Sequence, residues 1–355
     1  MAFPAFRPEE LQIVGWNSPP FGGMPRSPKF NTPITPKENW QLVMEGKKPC
    51  WMPFSTDIQG FRPRIIPDNV VCGLVVDGGP PLGVEDYSGK GWFDTEWVYV
   101  PMVGGATVKP GAPQIEDIND WPSILRFPDI DAYDWEASAA ENQSFFDRDR
   151  PLEVCMLCGF WERLISLMDV ANAAVALIDE DQKEGVHSLF DALCNLYDRV
   201  IEKYHRYYQP DLILMHDDWG TQNAPFFSTA VLQEMILPYI KRVVDSCHRR
   251  GIRFELHSCG FNEPNVPYML QAGVDMWCGQ TLNDTTKLMR QYGDKMLFFG
   301  FPDPIPAGAT EGEIVAMAEK FFDLHKDDRM MIQNRECNET FMKTIYRLSR
   351  EYYAG

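Results

Sequence analysis

One short stretch and one distant cysteine carry the clearest chemical signal in this chain. His257-Ser258-Cys259-Gly260 closes a short apolar run, and Cys337 follows another. On an extended strand, residues two apart point to the same side. His257 and Cys259 therefore face one point if extended geometry persists to Cys259. Cys337, presented from a neighbouring strand end, would add a third ligand and leave a tetrahedral ion one open position. That is the arrangement of a catalytic zinc. The same residues also suit a hydrogen-bonded core histidine and two inert buried cysteines, and spacing alone leaves both readings open.

Other candidates surround this signal. His216-Asp217-Asp218 ends another apolar run. Asp218 and its neighbour Asp217 are the candidates for orienting a substrate or protonating a leaving group; a polar strand end with ordinary loop hydrogen bonds is the alternative. Trp219, Gln222, Gln280 and Asp303 follow strand ends and are candidates for substrate contacts. Trp219 would wall an aromatic pocket, whereas Trp277 suits the core better. Arg62 and Arg64 could hold a substrate carboxylate or sit at the surface. Cys155-Met-Leu-Cys158 is a CxxC without a thioredoxin-like context, so it reads as buried thiols or pocket lining. Asp169, Glu184 and His205 read as solvated helix faces.

The elements that position these residues alternate. Apolar positions such as Leu189, Phe190, Leu193, Leu196, Tyr197 and Val200 have helical spacing over residues 183–206. Strands are expected at 212–215, 252–256, 274–278, 296–299 and 330–333, with helices from Ser228, at 267–272, 284–292, 311–324 and 339–353. Gly251 is placed to cap the helix before it. Short buried strands between amphipathic helices imply a parallel sheet. The expected class is α/β, as a doubly wound sheet or a closed barrel. No glycine fingerprint opens a helix after a strand, which weakens a dinucleotide-binding version. A barrel would gather the polar strand ends around one mouth. Upstream, residues 15–40 read as an irregular arm followed by a helix near Thr35-Pro36, and residues 50–58 as a first strand.

Composition excludes several classes. The 355 residues are 45% apolar and 24% charged, so global disorder is ruled out. A net charge of −18 argues against nucleic acid and against anionic lipid as partners. The apolar run Val170–Ile178 is too short to span a membrane, and MAFPAFRPEE has no apolar segment typical of a signal peptide. Nine cysteines, an odd number in so large a chain, point to free thiols in the cytoplasm.

Residues 214–280 resemble the uroporphyrinogen decarboxylase-like superfamily in its corrinoid-dependent methyltransferase branch. The matching segments are DDWGTQNAPFFS (217–228), LPYIKRVVDSCHRRG (237–251), ELHSCG (255–260) and AGVDMWCGQ (272–280). TPKENWQLVMEGKKPCWMPF (35–54) and KMLFFGFPDP (295–304) extend the likeness over most of the chain. The resemblance implies a single TIM (β/α)8-type barrel over residues 1–355, with an irregular extension through about residue 45 packed on it. The family's zinc motif, His-x-Cys-Gly with a distant second Cys, falls on His257, Cys259 and Cys337.

Two departures shape what the resemblance implies. Porphyrinogen decarboxylases carry an arginine-rich stretch on the first strand and lack a thiolate zinc site; here that region reads CWMPFSTDIQGFRPR. The corrinoid-binding Asp-x-His-x-x-Gly motif is absent, because Asp323-Leu-His325 continues with Lys-Asp-Asp. A separate corrinoid protein would then supply the cobalt. The implied activity is zinc-dependent transfer of a methyl group from a small donor, such as an aryl methyl ether, to Co(I) on that partner. The alternatives are methylcobalamin:thiol methyl transfer, a cofactor-free decarboxylase of the parent type, and a non-catalytic metal-containing binding barrel. Oligomeric state is left open, with a homodimer admitted.

Overall fold

The computed structural model describes residues 3–18, 25–102, 105–111 and 113–354. Part of the arm expected over 15–40, residues 19–24, lies outside them. The strands are β1 (Ile13–Asn17), β2 (Ser27–Phe30), β3 (Gln59–Phe61), β4 (Gly89–Lys90), β5 (Glu96–Val100) and β6 (Gly105–Val108). They continue with β7 (Leu152–Met156), β8 (Leu212–His216), β9 (Arg253–His257), β10 (Met276–Cys278), β11 (Leu297–Gly300) and β12 (Met330–Ile332). The chain divides into two compact units. The central unit comprises Phe61–Phe146 and Glu153–Val274; the terminal unit comprises Met1–Gly60, Asp147–Leu152 and Asp275–Gly355.

In the central unit β7, β8 and β9 run parallel, with His216 paired to His257 at the ends of β8 and β9. The helices Phe160–Ala176 and Lys183–Tyr207 connect β7 to β8. The second buries Leu189, Phe190, Leu193, Leu196, Tyr197 and Val200, the face expected from its spacing. Ser228 caps the next helix through the Val231 N–H. A π turn over Leu232–Ile236 then leads into Leu237–His248. Pro238 lacks an N–H and cannot continue the regular ladder, which places the irregular turn there. Gly251 follows with φ +72° and donates its N–H to the His248 carbonyl, as a helix terminator should. A small antiparallel sheet, β4-β5-β6, completes this unit's strands.

In the terminal unit β10, β11 and β12 are parallel, separated by the helices Thr285–Tyr292 and Glu311–His325, and Glu339–Tyr353 follows β12. Both units thus show the α/β class, with strands and helices in the order of a TIM-type barrel. The amino-terminal extension belongs to the terminal unit. Glu10 is buried there, accepting from Arg350 Nε at 2.7 Å and Tyr346 Oη at 2.8 Å. Thr35 starts the helix Pro36–Met44 with a capping box: its Oγ1 accepts from Glu38 N, and Glu38 Oε2 accepts from Thr35 N.

Two expectations are corrected. The irregular arm contains an antiparallel pair, β1 with β2. No strand forms over 50–58, where only Phe54 makes an isolated bridge, to Ile332; β3 begins at Gln59. Asp57 causes the difference: its carboxylate accepts from Phe54 N and Trp51 Nε1, both at 3.1 Å, and so holds a tight turn over Ser55–Asp57. Among the described residues no helix is long and apolar enough to cross a membrane.

Candidate metal centre

Parallel pairing of β8 and β9 delivers two polar strand ends side by side. The His216 and His257 rings lie 4.6 Å apart at 41°. Beyond His257 the chain turns through Ser258, Cys259 and Gly260 against the loop after β8. Gly220 N donates to the Cys259 carbonyl at 3.2 Å, and Gly260 sits at φ +83°. A Cβ on Gly260 would lie 2.2 Å from Gly220 main-chain atoms, so glycine is required by backbone contact as well as by conformation. Asn262 Nδ2 donates to the Cys259 carbonyl and Ser258 Oγ, and Ser258 Oγ also accepts from Trp219 N at 2.8 Å. Neighbouring loops thereby lock the turn.

The turn brings His257 Nε2 to 3.3 Å from Cys259 Sγ. Asp218 Oδ1 accepts from Cys259 N at 2.6 Å and lies 4.0 Å from His257 Nε2. Ligand atoms of Asp218, His257 and Cys259 all fall within 4.8 Å of one another. An imidazole, a thiol and a carboxyl group make a donor set suited to zinc. A nitrogen and a sulfur sharing a tetrahedral zinc are separated by about 3.5 Å, close to the spacing found. The strand ends at His257, yet Cys259 still converges with it.

Asp217 and Asp218 are adjacent in sequence and opposite in environment. Asp217 is fully buried; its carboxylate accepts from Phe160 N, Glu162 N and Trp219 Nε1. It caps the helix Phe160–Ala176, and burial pushes its pKa up to about 6. The structure thus gives Asp217 a positioning place, not one facing a substrate, because its oxygens are filled by protein donors. Trp219 is corrected likewise: it is fully buried and its indole N–H is held by Asp217, so it cannot wall an open pocket. Asp218 is partly exposed.

Sequence reasoning missed Glu162. Its Oε1 accepts from Asp218 N at 3.2 Å. Burial, then the Asp218 and Asp217 carboxylates, push its pKa well above the usual range. An acid in the first turn of a helix is ordinary, and no spacing ties residue 162 to residue 218. His216 is driven well below the usual imidazole range by burial, His257 and Arg62, so it stays neutral.

Gln222 is exposed beside the Thr221–Ala224 turn. Arg62 is buried, not at the surface, and its N–H donates to Val76 O; Arg64 is bound by Asp77. Cys155 and Cys158 are buried thiols with raised pKa. In the terminal unit, Gln280 and Asp303 line a cavity of about 660 Å³ together with Asn283, Arg335 and Glu336. Asp303 is exposed and pairs with Lys320. Cys337 is buried at φ +50°, its N–H donating to Asn334 Oδ1, and burial raises its thiol to about 11.

Comparison with known proteins bears on the family and the fold. No curated protein matches the chain. A methyltransferase from Methanosarcina mazei is similar in fold, with TM-score 0.59 and 14% identity over 90% of this chain and 99% of that one. A sugar phosphate isomerase/epimerase from Parabacteroides distasonis ATCC 8503 reaches TM-score 0.31 at 10% identity, covering 68% of this chain and 83% of that one; a similarity so low carries no argument. The profile of the uroporphyrinogen decarboxylase (URO-D) family matches residues 161–343, more than half of the chain and including the strand ends that carry His257, Cys259 and Cys337. The chain belongs to the uroporphyrinogen decarboxylase (URO-D) family.

Proposed function

We propose that this chain is a zinc-dependent methyltransferase. It would move a methyl group from a small donor, such as an aryl methyl ether, to the Co(I) of a separate corrinoid protein. The observation that carries the reading is the convergence of His257, Cys259 and Asp218 at the ends of β8 and β9. His257 and Cys259 would hold zinc, with Cys337 as the third ligand. The fold shared with a methyltransferase supports the reading, and so does the sequence resemblance to corrinoid-dependent enzymes.

Bound zinc would supply Lewis acidity, polarising the donor's heteroatom and easing its departure. The chain's own residues supply the rest. Asn262 and Gly220 hold the Cys259 turn in place. Asp218 orients Cys259 through its main-chain N–H and stands beside His257, positioned to orient the donor as well. Glu162, whose pKa is raised by burial and by two neighbouring carboxylates and whose Oε1 accepts from Asp218 N, would be the proton donor to a leaving oxygen. Methyl transfer by in-line displacement needs the methyl carbon between the donor atom and cobalt, so the mouth must admit the partner's corrin.

The test is incubation of the chain with a Co(I) corrinoid protein and a panel of methoxylated aromatics, quaternary amines, methanol and methylated thiols, read by the visible spectrum of methylcobalt. Formation of methylcobalt with one donor class supports the proposal. No methylation with any donor, together with metal-free decarboxylation of a porphyrinogen, would replace it with the parent activity.

A further inference from the structure

A second concavity lies in the terminal unit at the opposite end of β12. The loop after β12 lines the large cavity containing Gln280, whereas the turn before Met330 lines this one, of about 350 Å³. Its other walls are the chain following the helix Pro36–Met44 and the last turn of Glu339–Tyr353. The apolar floor is made by Val43, Met52, Pro53 and Met330, all buried.

Its charge is opposite to that of the molecule. In a chain of net charge −18, this concavity gathers Lys47, Lys48, Lys326 and Arg329. Its two carboxylates are already engaged: Asp327 accepts from Tyr352 Oη at 2.7 Å, and Asp328 pairs with His325 Nδ1 at 2.8 Å. Three main-chain carbonyls, those of Val43, Met44 and Gly293, fix the Arg329 guanidinium. Lys48 lies over the Tyr353 ring at 5.9 Å and Lys326 over the Tyr352 ring at 5.8 Å, so both cations are held at the rim. Lys47 and Lys326 also pair with Glu45 and Asp323. These are exposed pairs of the kind worth little, which an incoming anion can displace.

We propose that this concavity is a binding site for a small amphipathic anion: one planar ring bearing a carboxylate or a phosphate. The ring would lie on the apolar floor and the tyrosine edges, and the anionic group at Lys48 and Lys326. The volume is at the lower end for small-molecule sites, and the negative field of the whole chain disfavours an anionic macromolecule here. The site is independent of the proposed methyl transfer, since it shares no residue with the metal centre.

The experiment is calorimetric titration of the full chain at low salt with phenyl phosphate, benzoate, benzamide and inorganic phosphate. Phenyl phosphate or benzoate should bind at one site per chain, with benzamide and inorganic phosphate at least about tenfold weaker. Binding should fall at least about tenfold in the double variant Lys48→Glu/Lys326→Glu and persist in Cys259→Ala. Should the glutamate pair fail to fold, Lys48→Gln/Lys326→Gln carries the same test with milder surface changes. The proposal is overturned if neither ring anion binds, if inorganic phosphate or benzamide matches them, if the lysine variants bind as well as the parent, or if Cys259→Ala abolishes binding.

Discussion

Two charge clusters in this molecule are built differently. In the terminal unit, Glu10 meets Arg350 and Tyr346, so one carboxylate faces one guanidinium and a hydroxyl, with contacts to both of its oxygens. In the central unit, Glu162, Asp217 and Asp218 stand together beside His257 and Cys259. The nearby guanidinium, Arg163, is bound by Asp68 in a fully buried ion pair. The first cluster balances its charge internally and ties the amino-terminal extension to the last helix. The second leaves acids crowded by other acids, a costly arrangement unless protons or a cation compensate it. Balanced burial stabilises a fold; acids crowded beside an imidazole and a thiol are what the proposed metal site would draw on.

The widest separation between the clusters should come from His257→Ala. Methyl transfer is expected to fall by at least roughly a thousandfold, with bound zinc lost and the thermal midpoint little changed. A variant that unfolds instead would make the second cluster structural, like the first. Arg350→Met should act in the opposite sense. It leaves Glu10 buried without its cation and is expected to cost about 3–5 kcal/mol, read by urea denaturation, while zinc per folded chain stays constant.

Asp57, a buried acid outside both clusters, ties stability to pH. Burial lifts its pKa to about 6 against the pull of the Phe54 and Trp51 hydrogen bonds. The folded chain therefore holds this proton more tightly than the unfolded chain, whose carboxyl titrates near 4. Its contribution to stability is complete below that pH and is lost as pH rises through about 6. Asp57→Asn keeps an acceptor for both donors, so denaturation at a series of pH values should show this part of the decline removed, up to about 3 kcal/mol. The smallest effect is expected from Glu162→Gln. Glutamine keeps the side chain's shape and an acceptor for Asp218 N, so stability should stay within about 0.5 kcal/mol while turnover falls roughly a hundredfold. Unchanged turnover would remove Glu162 from the chemistry.

Local signals were the readable ones. Thr35-Pro36 with Glu38 announces its helix because the capping contacts are only three residues apart. Gly251 announces a helix end, and His257 with Cys259 announces two side chains that meet, for the same reason. What could not be read depends on distant contacts. Asp217 and Asp218 are indistinguishable as neighbouring letters; they separate only because one caps a helix that begins at Phe160 and the other faces Cys259. Trp219 reads as a pocket wall until Asp217 and Ser258 are seen to bury it. Glu162 becomes notable only when folding places it beside residues some 56 positions onward. The β1–β2 pair is hidden by Pro28, which has no N–H to donate and suggests a loop even where it sits in a two-stranded pair.

The proposed methyl transfer depends on zinc held by His257, Cys259 and Cys337. Zinc analysis combined with X-ray absorption at the zinc edge tests it most directly. About one zinc per chain with mixed nitrogen and sulfur donors is expected, lost in Cys259→Ala/Cys337→Ala. Zinc content and sulfur ligation unchanged in that double variant would contradict it.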